Sequence, residues 1–164
     1  LVISKYALDC KQYNTSRTAV TWETSTLRTW LNNDFINKAF SADEKAMIPT
    51  VTVSADKNPV YDTNPGNATQ DQVFLLSITE ANQYFSSDSA LQCEPTDYAV
   101  AKGAFVNSNL GSCWWWLRSA GITLDYAVYV YAVDKLGVDV SEHGGYVDYD
   151  GSAVRPALWI DLNP

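Results

Sequence analysis

The chain has 164 residues, 46% of them hydrophobic and 13% aromatic, and a formal net charge of −8. Its length suits one domain, so we expect a single domain over residues 1–164, excised from a longer protein because no initiator Met is present. The negative charge argues against a nucleic-acid partner, because Lys and Arg are what bind phosphates. No apolar run approaches the roughly 20 residues that a membrane-spanning helix needs, which predicts no membrane insertion by this segment.

The N-terminal third carries signals for short strands and helices. Residues 1–8 form an apolar run that predicts a β-strand. Residues 24–40 space their apolar side chains as a helix does, and we expect two short helices separated at the polar residues 32–34. Ser41 opens a capping-box pattern, which predicts that another short helix begins there. Residues 50–53 are rich in β-branched side chains and predict a strand.

The middle third begins with a loop. Residues 54–70 are polar, contain two Pro and one Gly, and predict a long surface loop of the kind that is functional or mobile. Residues 73–76 predict a short buried strand, and Ser77 opens a second capping box for the next helix. Residues 95–102 predict a last short helix, which Gly103 ends.

The C-terminal part, after Gly111, is rich in Trp, Tyr and Val with recurrent Gly. Along the predicted strands, Trp114 and Trp116 share one face, and Tyr129 and Tyr131 lie opposite the Val and Ala residues that alternate with them. Helices followed by antiparallel strands predict an α+β fold. The strand predictions cover residues 114–117, 127–133, 145–149 and 153–160, with a hairpin turn at 150–151.

The three cysteines are Cys10, Cys93 and Cys113. They lie far apart in sequence, which excludes C-x-x-C metal and redox motifs. Two arrangements remain open: one disulfide with a free thiol, or three buried thiols. A bridge between Cys93 and Cys113 would close a loop of about 20 residues and contribute about 3 kcal/mol.

Four motifs carry a resemblance to a known family. They are W-x-x-S-x-L-R-x-W-L-N at residues 22–32, V-F-L-L-S at 73–77, W-W-L-R-S at 115–119 and V-R-P-A-L-W at 154–159. In this order they resemble a bacterial family of unknown function that is frequent in Gram-positive gut bacteria. The resemblance extends over nearly the whole chain. The family usually has Gly where this chain has Ser152-Ala153.

The last two motifs are in turn similar to the core of C-type-lectin-like domains, including the branch that contains the formylglycine-generating enzyme. The resemblance implies a C-type-lectin-like fold, with short N-terminal helices packed on a small antiparallel sheet that displays loops from its C-terminal half. That fold class includes variable proteins of diversity-generating retroelements, whose mutated codons yield mainly Tyr, Asn, Asp and Ser. A fold does not fix a function, so the site must be argued from its residues.

Eight residues, all of them in these motifs, are predicted to build the structural core. A guanidinium within an apolar run needs carboxylate or carbonyl partners, so we interpret the arginines as hydrogen-bonded locks of the core. The alternative is an arginine pair that binds an anionic ligand. The predicted core residues are Trp22, Leu27, Arg28, Trp30, Trp116, Arg118, Arg155 and Trp159.

Residues 119–152 have the composition of a binding surface. They hold five of the ten Tyr, and six acidic residues against one Lys give them a net charge of −5. Tyr offers rigid amphipathic contact, and small polar residues adapt to a partner, as in antibody combining sites. The alternative is an ordinary solvated sheet face with a few core tyrosines. The predicted ligand-binding residues are Tyr126, Tyr129, Tyr131, Asp134, Asp139, His143, Tyr146, Asp148 and Tyr149.

Signals for catalysis and for cofactors are weak. His143 is the one histidine and no G-x-S-x-G motif accompanies it, so we predict no catalytic residue, no metal site and no cofactor. Calcium is the alternative, because it would relieve repulsion between Asp148 and Asp150 on one predicted strand face. The sugar-and-calcium motifs of true C-type lectins are absent.

Three functions follow as hypotheses. The first is a non-catalytic adhesion or recognition module, secreted or at the surface of a bacterium, that binds a protein or glycan ligand through residues 119–152. The second is a modifying enzyme similar to the formylglycine-generating enzyme, which would need a reactive Cys113. The third is a structural accessory domain of a surface protein. The oligomeric state and the identity of the ligand are not encoded in any of these patterns.

Overall fold

The computed structural model describes residues 1–133 and 137–162. Within these ranges, short helices and several sheets confirm the predicted α+β class. The strands of the described part are Val2–Ile3 (β1), Asp9–Cys10 (β2), Val51–Val53 (β3), Thr69–Asp71 (β4), Val73–Phe74 (β5), Trp115–Ala120 (β6), Tyr126–Val133 (β7), Gly137–Tyr146 (β8), Ala153–Val154 (β9) and Ala157–Leu158 (β10). Its α-helices are Thr26–Trp30 (α1), Ile36–Ala39 (α2), Ala42–Ala46 (α3), Ile78–Tyr84 (α4) and Asp97–Ala101 (α5).

The largest sheet of the described residues has five strands in the order β2-β9-β6-β7-β8. Strand β7 runs antiparallel to both β6 and β8, whereas β9 lies parallel to β6. The predicted alternation of β7 is confirmed, because Val128 and Val130 are fully buried while Tyr129 and Tyr131 are partly exposed on the other face. Smaller sheets have the orders β1-β10-β5 and β3-β4.

Several strand predictions were wrong in their extent. Of the strand expected at residues 145–149, only Gly145 and Tyr146 are in a strand, where they end a longer one, β8, that pairs with β7. The hairpin expected at residues 150–151 does not form, because the following strand, β9, pairs with β2 and β6 instead of β8. The run at 153–160 divides at Pro156, which has no N–H for a ladder. Of residues 1–8, only β1 is a strand.

The segment from α1 to α2 is one continuous helical stretch, so the predicted break at residues 32–34 was wrong. A π-helical turn, Leu31–Phe35, joins the two helices. Asn32 explains why polar residues are tolerated there: its amide donates to the carbonyl oxygen of Val73 at 2.9 Å, and its Oδ1 accepts from the Gln72 backbone N–H at 2.9 Å. The polar side chain therefore fastens the helix to β5 instead of ending it.

Both predicted capping boxes are present. At the start of α4, the Ser77 hydroxyl accepts from the Glu80 backbone N–H at 3.2 Å, and the Glu80 carboxylate accepts from the Ser77 N–H at 2.9 Å. Ser41 and Glu44 make the same reciprocal pair at the start of α3. These local patterns were readable in the sequence because the partners are three residues apart.

The core forms where the helices pack on the sheets. Trp22, Leu27 and Trp116 are buried, as are the guanidinium groups of Arg118 and Arg155, whereas Arg28 and Trp30 are partly buried. Trp159 is 42% exposed, so its assignment to the core was wrong. The reason is that β10 ends at Leu158, and the chain leaves the sheet just before the indole ring.

The arginines of the motifs have structural partners. Arg118 donates to both carboxylate oxygens of Glu80 and to the carbonyl oxygen of Leu75. Arg28 donates to Asp71 at 2.7 Å, and the same buried carboxylate accepts from the Trp22 indole at 3.0 Å. These contacts are the hydrogen-bonded locks that the sequence predicted for Arg118 and Arg28.

Arg155 differs from the other two. Its Nε donates to the Ser4 carbonyl oxygen at 3.0 Å, and its guanidinium lies 4.9 Å from the Trp115 ring centroid and 5.2 Å from that of Phe85. Among the described residues it has no carboxylate partner, and its Nη1 atom is buried without a hydrogen bond. Aromatic faces thus take the place of a counter-ion.

Candidate functional site

The predicted ligand-binding residues separate into two aromatic clusters. The register of β7 and β8 shifts between Ala127 and Tyr129, so tyrosines at the two ends of β7 meet different neighbours. Tyr126 lies opposite Tyr146 at the edge of the sheet, whereas Tyr129 lies opposite Ser141 in its interior. The sequence predicted one continuous surface, whereas the structure divides these residues between two clusters.

The first cluster centres on Trp114, and we call it the Trp114 cluster. The Trp114 ring centroid lies 5.4 Å from that of Tyr129 and 6.0 Å from that of Tyr149. Tyr129 also contacts Trp116 and Tyr131, each at 5.9 Å. Tyr129 and Tyr149 are half-buried against the hydrophobic core, and burial raises the pKa of both phenols. This cluster belongs largely to the packing of the sheet.

The second cluster surrounds Arg17, and we call it the Arg17 cluster. The Arg17 guanidinium carbon lies 3.3 Å from the Tyr146 ring centroid, and its Nε donates to the Asp125 carboxylate at 3.1 Å. Tyr126 lies between Tyr146, a tilted ring at 4.5 Å, and His143, which it meets edge to face at 5.2 Å, measured between ring centroids. Tyr146 is 42% exposed, so these rings present faces and edges to solvent.

Hydrogen bonds polarise the Arg17 cluster. The neighbouring Tyr126 hydroxyl and Arg17 lower the pKa of Tyr146, whereas the neighbouring Tyr146 hydroxyl raises the pKa of Tyr126. The Thr123 hydroxyl donates to Asp125 at 2.6 Å and, with Arg17, lowers the pKa of that carboxyl. The cluster thus combines a cation, an anion and aromatic rings within one small surface.

A cleft of about 750 Å³ opens beside this cluster, with Arg17, Tyr61, Ile122 and Asp125 among its wall residues. The wall containing Tyr61 comes from the long loop that the sequence predicted at residues 54–70. The Tyr61 ring lies 6.2 Å from that of His143, which continues the aromatic surface across to the loop. Concave sites lined by rings and a few polar groups are the usual shape of ligand sites.

Asn58 holds the loop in place. Its side-chain amide donates to the carbonyl oxygens of Ala120 at 2.9 Å and Glu142 at 2.7 Å. Thr63 adds a bond to the Gly121 carbonyl oxygen at 2.8 Å. Gly121 is required there, because a Cβ would collide with the His143 carbonyl group. The loop therefore lies on the ends of β6 and β8.

The remaining predicted site residues lie apart or outside the described part. Asp139 is exposed on β8, opposite Tyr131, and its carboxylate accepts from the Val140 N–H at 2.7 Å. Asp148 contributes its backbone carbonyl, which accepts from the Gln12 amide at 2.6 Å. Asp134 lies outside the described residues. Asp148 and Asp150 follow β8 and do not share a strand face.

Sequence reasoning missed Arg17 and Tyr61. Arg17 lies in a polar turn, and no short-range pattern ties it to β7 or β8. Tyr61 had one signal, since the loop that contains it was marked as long enough to be functional. Both residues join the site only through contacts between segments that are distant in the chain.

The thiols form a second feature with chemical character. All three cysteines are free and buried, which selects one of the two arrangements left open by the sequence. The neighbouring Cys113 thiol, together with the charge of Arg155, lowers the pKa of Cys93, while the neighbouring Cys93 thiol and burial raise the pKa of Cys113. The more acidic thiol is thus Cys93, whereas the sequence favoured Cys113.

No metal-binding group is evident in the part of the chain with described coordinates, where three or more His, Cys, Asp or Glu side chains do not come together. None of the helices in that part has the length and apolar character that crossing a bilayer requires. The expectations about cofactors and calcium stay predictions.

The comparisons with known proteins give a family and no further relative. Comparison with curated proteins and with solved structures returned no match. A family model described as a domain of unknown function, DUF6273, matches residues 1–162. That match spans both aromatic clusters and all four sequence motifs, and the chain therefore belongs to the DUF6273 family.

Proposed function

We propose that this chain is a non-catalytic recognition module that binds a protein or glycan ligand at the Arg17 cluster and its adjoining cleft. The observation that carries the proposal is the exposure of adjoining tyrosine rings beside an arginine at the mouth of a cleft. Tyr and Arg dominate the binding energy of many interfaces, because they combine large contact area with directed hydrogen bonds. The scaffold that we propose is C-type-lectin-like, and the setting is the surface of a bacterium.

The difference between the two clusters supports this choice of site. Tyr129 and Tyr149 are held by Trp114 and the core, so their rings already have packing partners. Tyr126 and Tyr146 pack mainly on each other, on His143 and on Arg17, all at the edge of the sheet. Rings that contribute little to the core are available to a ligand.

The test compares binding by wild type with that of a Tyr126→Ala/Tyr146→Ala protein on arrays of glycans and of extracellular proteins. We expect ligands retained by wild type to be lost by the double variant, because both ring faces of the site are removed. The matched control is Tyr84→Ala, which removes a tyrosine that is 49% exposed on α4. Equal binding by all three proteins would contradict the proposed site.

A modifying enzyme similar to the formylglycine-generating enzyme is the second candidate function. It is favoured by the neighbouring thiols of Cys93 and Cys113 and by the Arg155 charge, which lowers the pKa of Cys93. Burial of both sulfurs opposes it, since a reactive thiol needs access to its substrate. A ligand that binds wild type and is recovered chemically unchanged favours the recognition module.

A further inference from the structure

A second groove lies where the end of β2, helices α1 and α2, and helix α5 meet. Two adjoining cavities, of about 460 Å³ and about 430 Å³, share Cys10, Lys11, Trp30 and Lys102 in their walls. Lys38 and Tyr98 complete the second cavity. We call this the lysine groove. A ligand with several units could contact both adjoining cavities.

The lysine groove concentrates positive charge in an acidic protein. It contains three of the seven lysines of a chain whose net charge is −8. None of Lys11, Lys38 and Lys102 forms an ion pair with a described carboxylate. Of the two wall carboxylates, Asp9 is buried and already accepts from the Cys10 backbone N–H at 2.7 Å, and Asp150 is exposed. The ammonium groups are left to attract an anion.

Aromatic rings orient two of these lysines without neutralising them. The Lys11 ammonium lies 4.7 Å from the Trp30 ring centroid, and the Lys102 ammonium lies 5.4 Å from that of Tyr98. Trp30 is partly exposed and Tyr98 is 55% exposed. A cation over a ring is restrained but keeps its charge, so it is prepared to meet an anionic group. The exposed ring surface offers contact to an apolar face.

The remaining wall of the first cavity carries neutral hydrogen-bonding groups from Gln12, Thr15 and Thr26. Amide and hydroxyl groups suit a ligand rich in hydroxyls. Lys presents a compact point charge with rotatable donors, so it attracts a carboxylate without requiring the bidentate geometry that an Arg fork imposes. Anionic charge, hydroxyls and an apolar ring face are found together in a sugar that carries a carboxylate.

We propose that the lysine groove binds an acidic oligosaccharide built from hexuronate units, with Lys11 and Lys102 contacting carboxylates and Trp30 contacting a sugar ring. This site is separate from the Arg17 cluster and does not depend on the function proposed for it. Neither of the two sites shares a wall residue with the other.

The test is isothermal titration calorimetry with a galacturonate hexamer as the probe and a neutral glucose hexamer as its control. We expect wild type to bind the acidic hexamer and not the neutral one. Lys11→Gln/Lys102→Gln should weaken binding at least about tenfold. The charge-matched control Lys5→Gln/Lys45→Gln removes two lysines outside the groove. It should change the affinity for the acidic hexamer less than about twofold.

Several results would overturn the proposal. They are no heat of binding from wild type, equal weakening by both double variants, and tighter binding of a sulfated oligosaccharide than of the galacturonate hexamer. Circular dichroism of each variant separates a lost site from a lost fold. Tyr126→Ala/Tyr146→Ala should keep full affinity for the acidic hexamer, so failure of the Arg17 cluster and failure of the lysine groove are distinguishable.

Discussion

Tyr129 and Tyr146 lie on neighbouring strands of the same sheet, yet their surroundings give them different roles. Tyr129 contacts three other aromatic rings and packs on the core. Tyr146 contacts Arg17 and Tyr126 at the sheet edge and keeps much of its surface in solvent. At the residue scale, identical side chains divide between stability and recognition according to which rings lie beside them.

A pair of single substitutions checks this division. Tyr129→Ala should lower the free energy of unfolding by about 2–3 kcal/mol, because it leaves a cavity beside Trp114 and Trp116. Tyr146→Ala should change it by less than about 0.5 kcal/mol, as for most exposed positions. Urea denaturation followed by Trp fluorescence measures both. A loss of the same size in the two proteins would show that the Arg17 cluster is a packing element.

Cys10 gives a prediction about pH. Its thiol donates to the carbonyl oxygen of Asp150 at 3.0 Å, and burial with the nearby Asp9 and Asp150 charges raises its pKa to about 11. An acid whose pKa is raised by folding stabilises the protein below its unfolded pKa of about 9, and this contribution is lost as the pH rises towards 11.

The free energy of unfolding of wild type should therefore fall by about 1–2 kcal/mol relative to that of Cys10→Ala between pH 9 and pH 11. This figure is reduced because the thiol is partly in contact with solvent. Other ionising groups act in both proteins, so the difference isolates Cys10. Denaturant titrations at three pH values suffice. A gap that stays constant over this interval contradicts the role of the buried thiol.

At the scale of elements, the irregular loop between β3 and β4 forms one wall of the cleft beside the Arg17 cluster. Asn58 is nearly fully buried, and its bonds to β6 and β8 place Tyr61 beside His143. Few backbone hydrogen bonds hold the loop otherwise, so side-chain bonds, chiefly those of Asn58 and Thr63, fix this wall of the cleft. Such segments open more readily than the core does.

Asn58→Ala should release this wall. We expect the free energy of unfolding to fall by about 1–3 kcal/mol, because the carbonyl groups of Ala120 and Glu142 lose their donor. Amide hydrogen exchange should accelerate across residues 57–63 while the β6 and β7 amides stay protected. Asn64→Ala is the matched control, since Asn64 is exposed in the same loop and bonds only to Gly66 nearby. Unchanged exchange in Asn58→Ala would mean that the loop is held by other contacts.

At the scale of the whole molecule, the first and last parts of the chain build two of the described sheets together. Strand β1 pairs with β10, and β2 pairs with β9. The Ser4 backbone N–H donates to the Pro156 carbonyl oxygen at 3.0 Å, and Arg155 returns a bond to Ser4. This interlacing is what brings Arg17 to Tyr146 and Lys11 to Lys102, so both proposed sites depend on long-range pairing.

Local patterns in the sequence were sufficient for some features. The capping boxes at Ser41 and Ser77, the two faces of β7 and the helix stop at Gly103, whose φ is 103°, all depend on residues a few positions apart. The α+β class and membership of a family of unknown function also followed from such patterns.

Tertiary structure alone decided the sites. The partition of the tyrosines follows from the register of β7 and β8, and the exposure of Trp159 follows from where β10 ends. Arg17, Tyr61 and the lysine groove come together through contacts between distant segments. The physical reason is that spacing along a chain reports which face a side chain takes, whereas its neighbours depend on which strands pair and where each pairing stops.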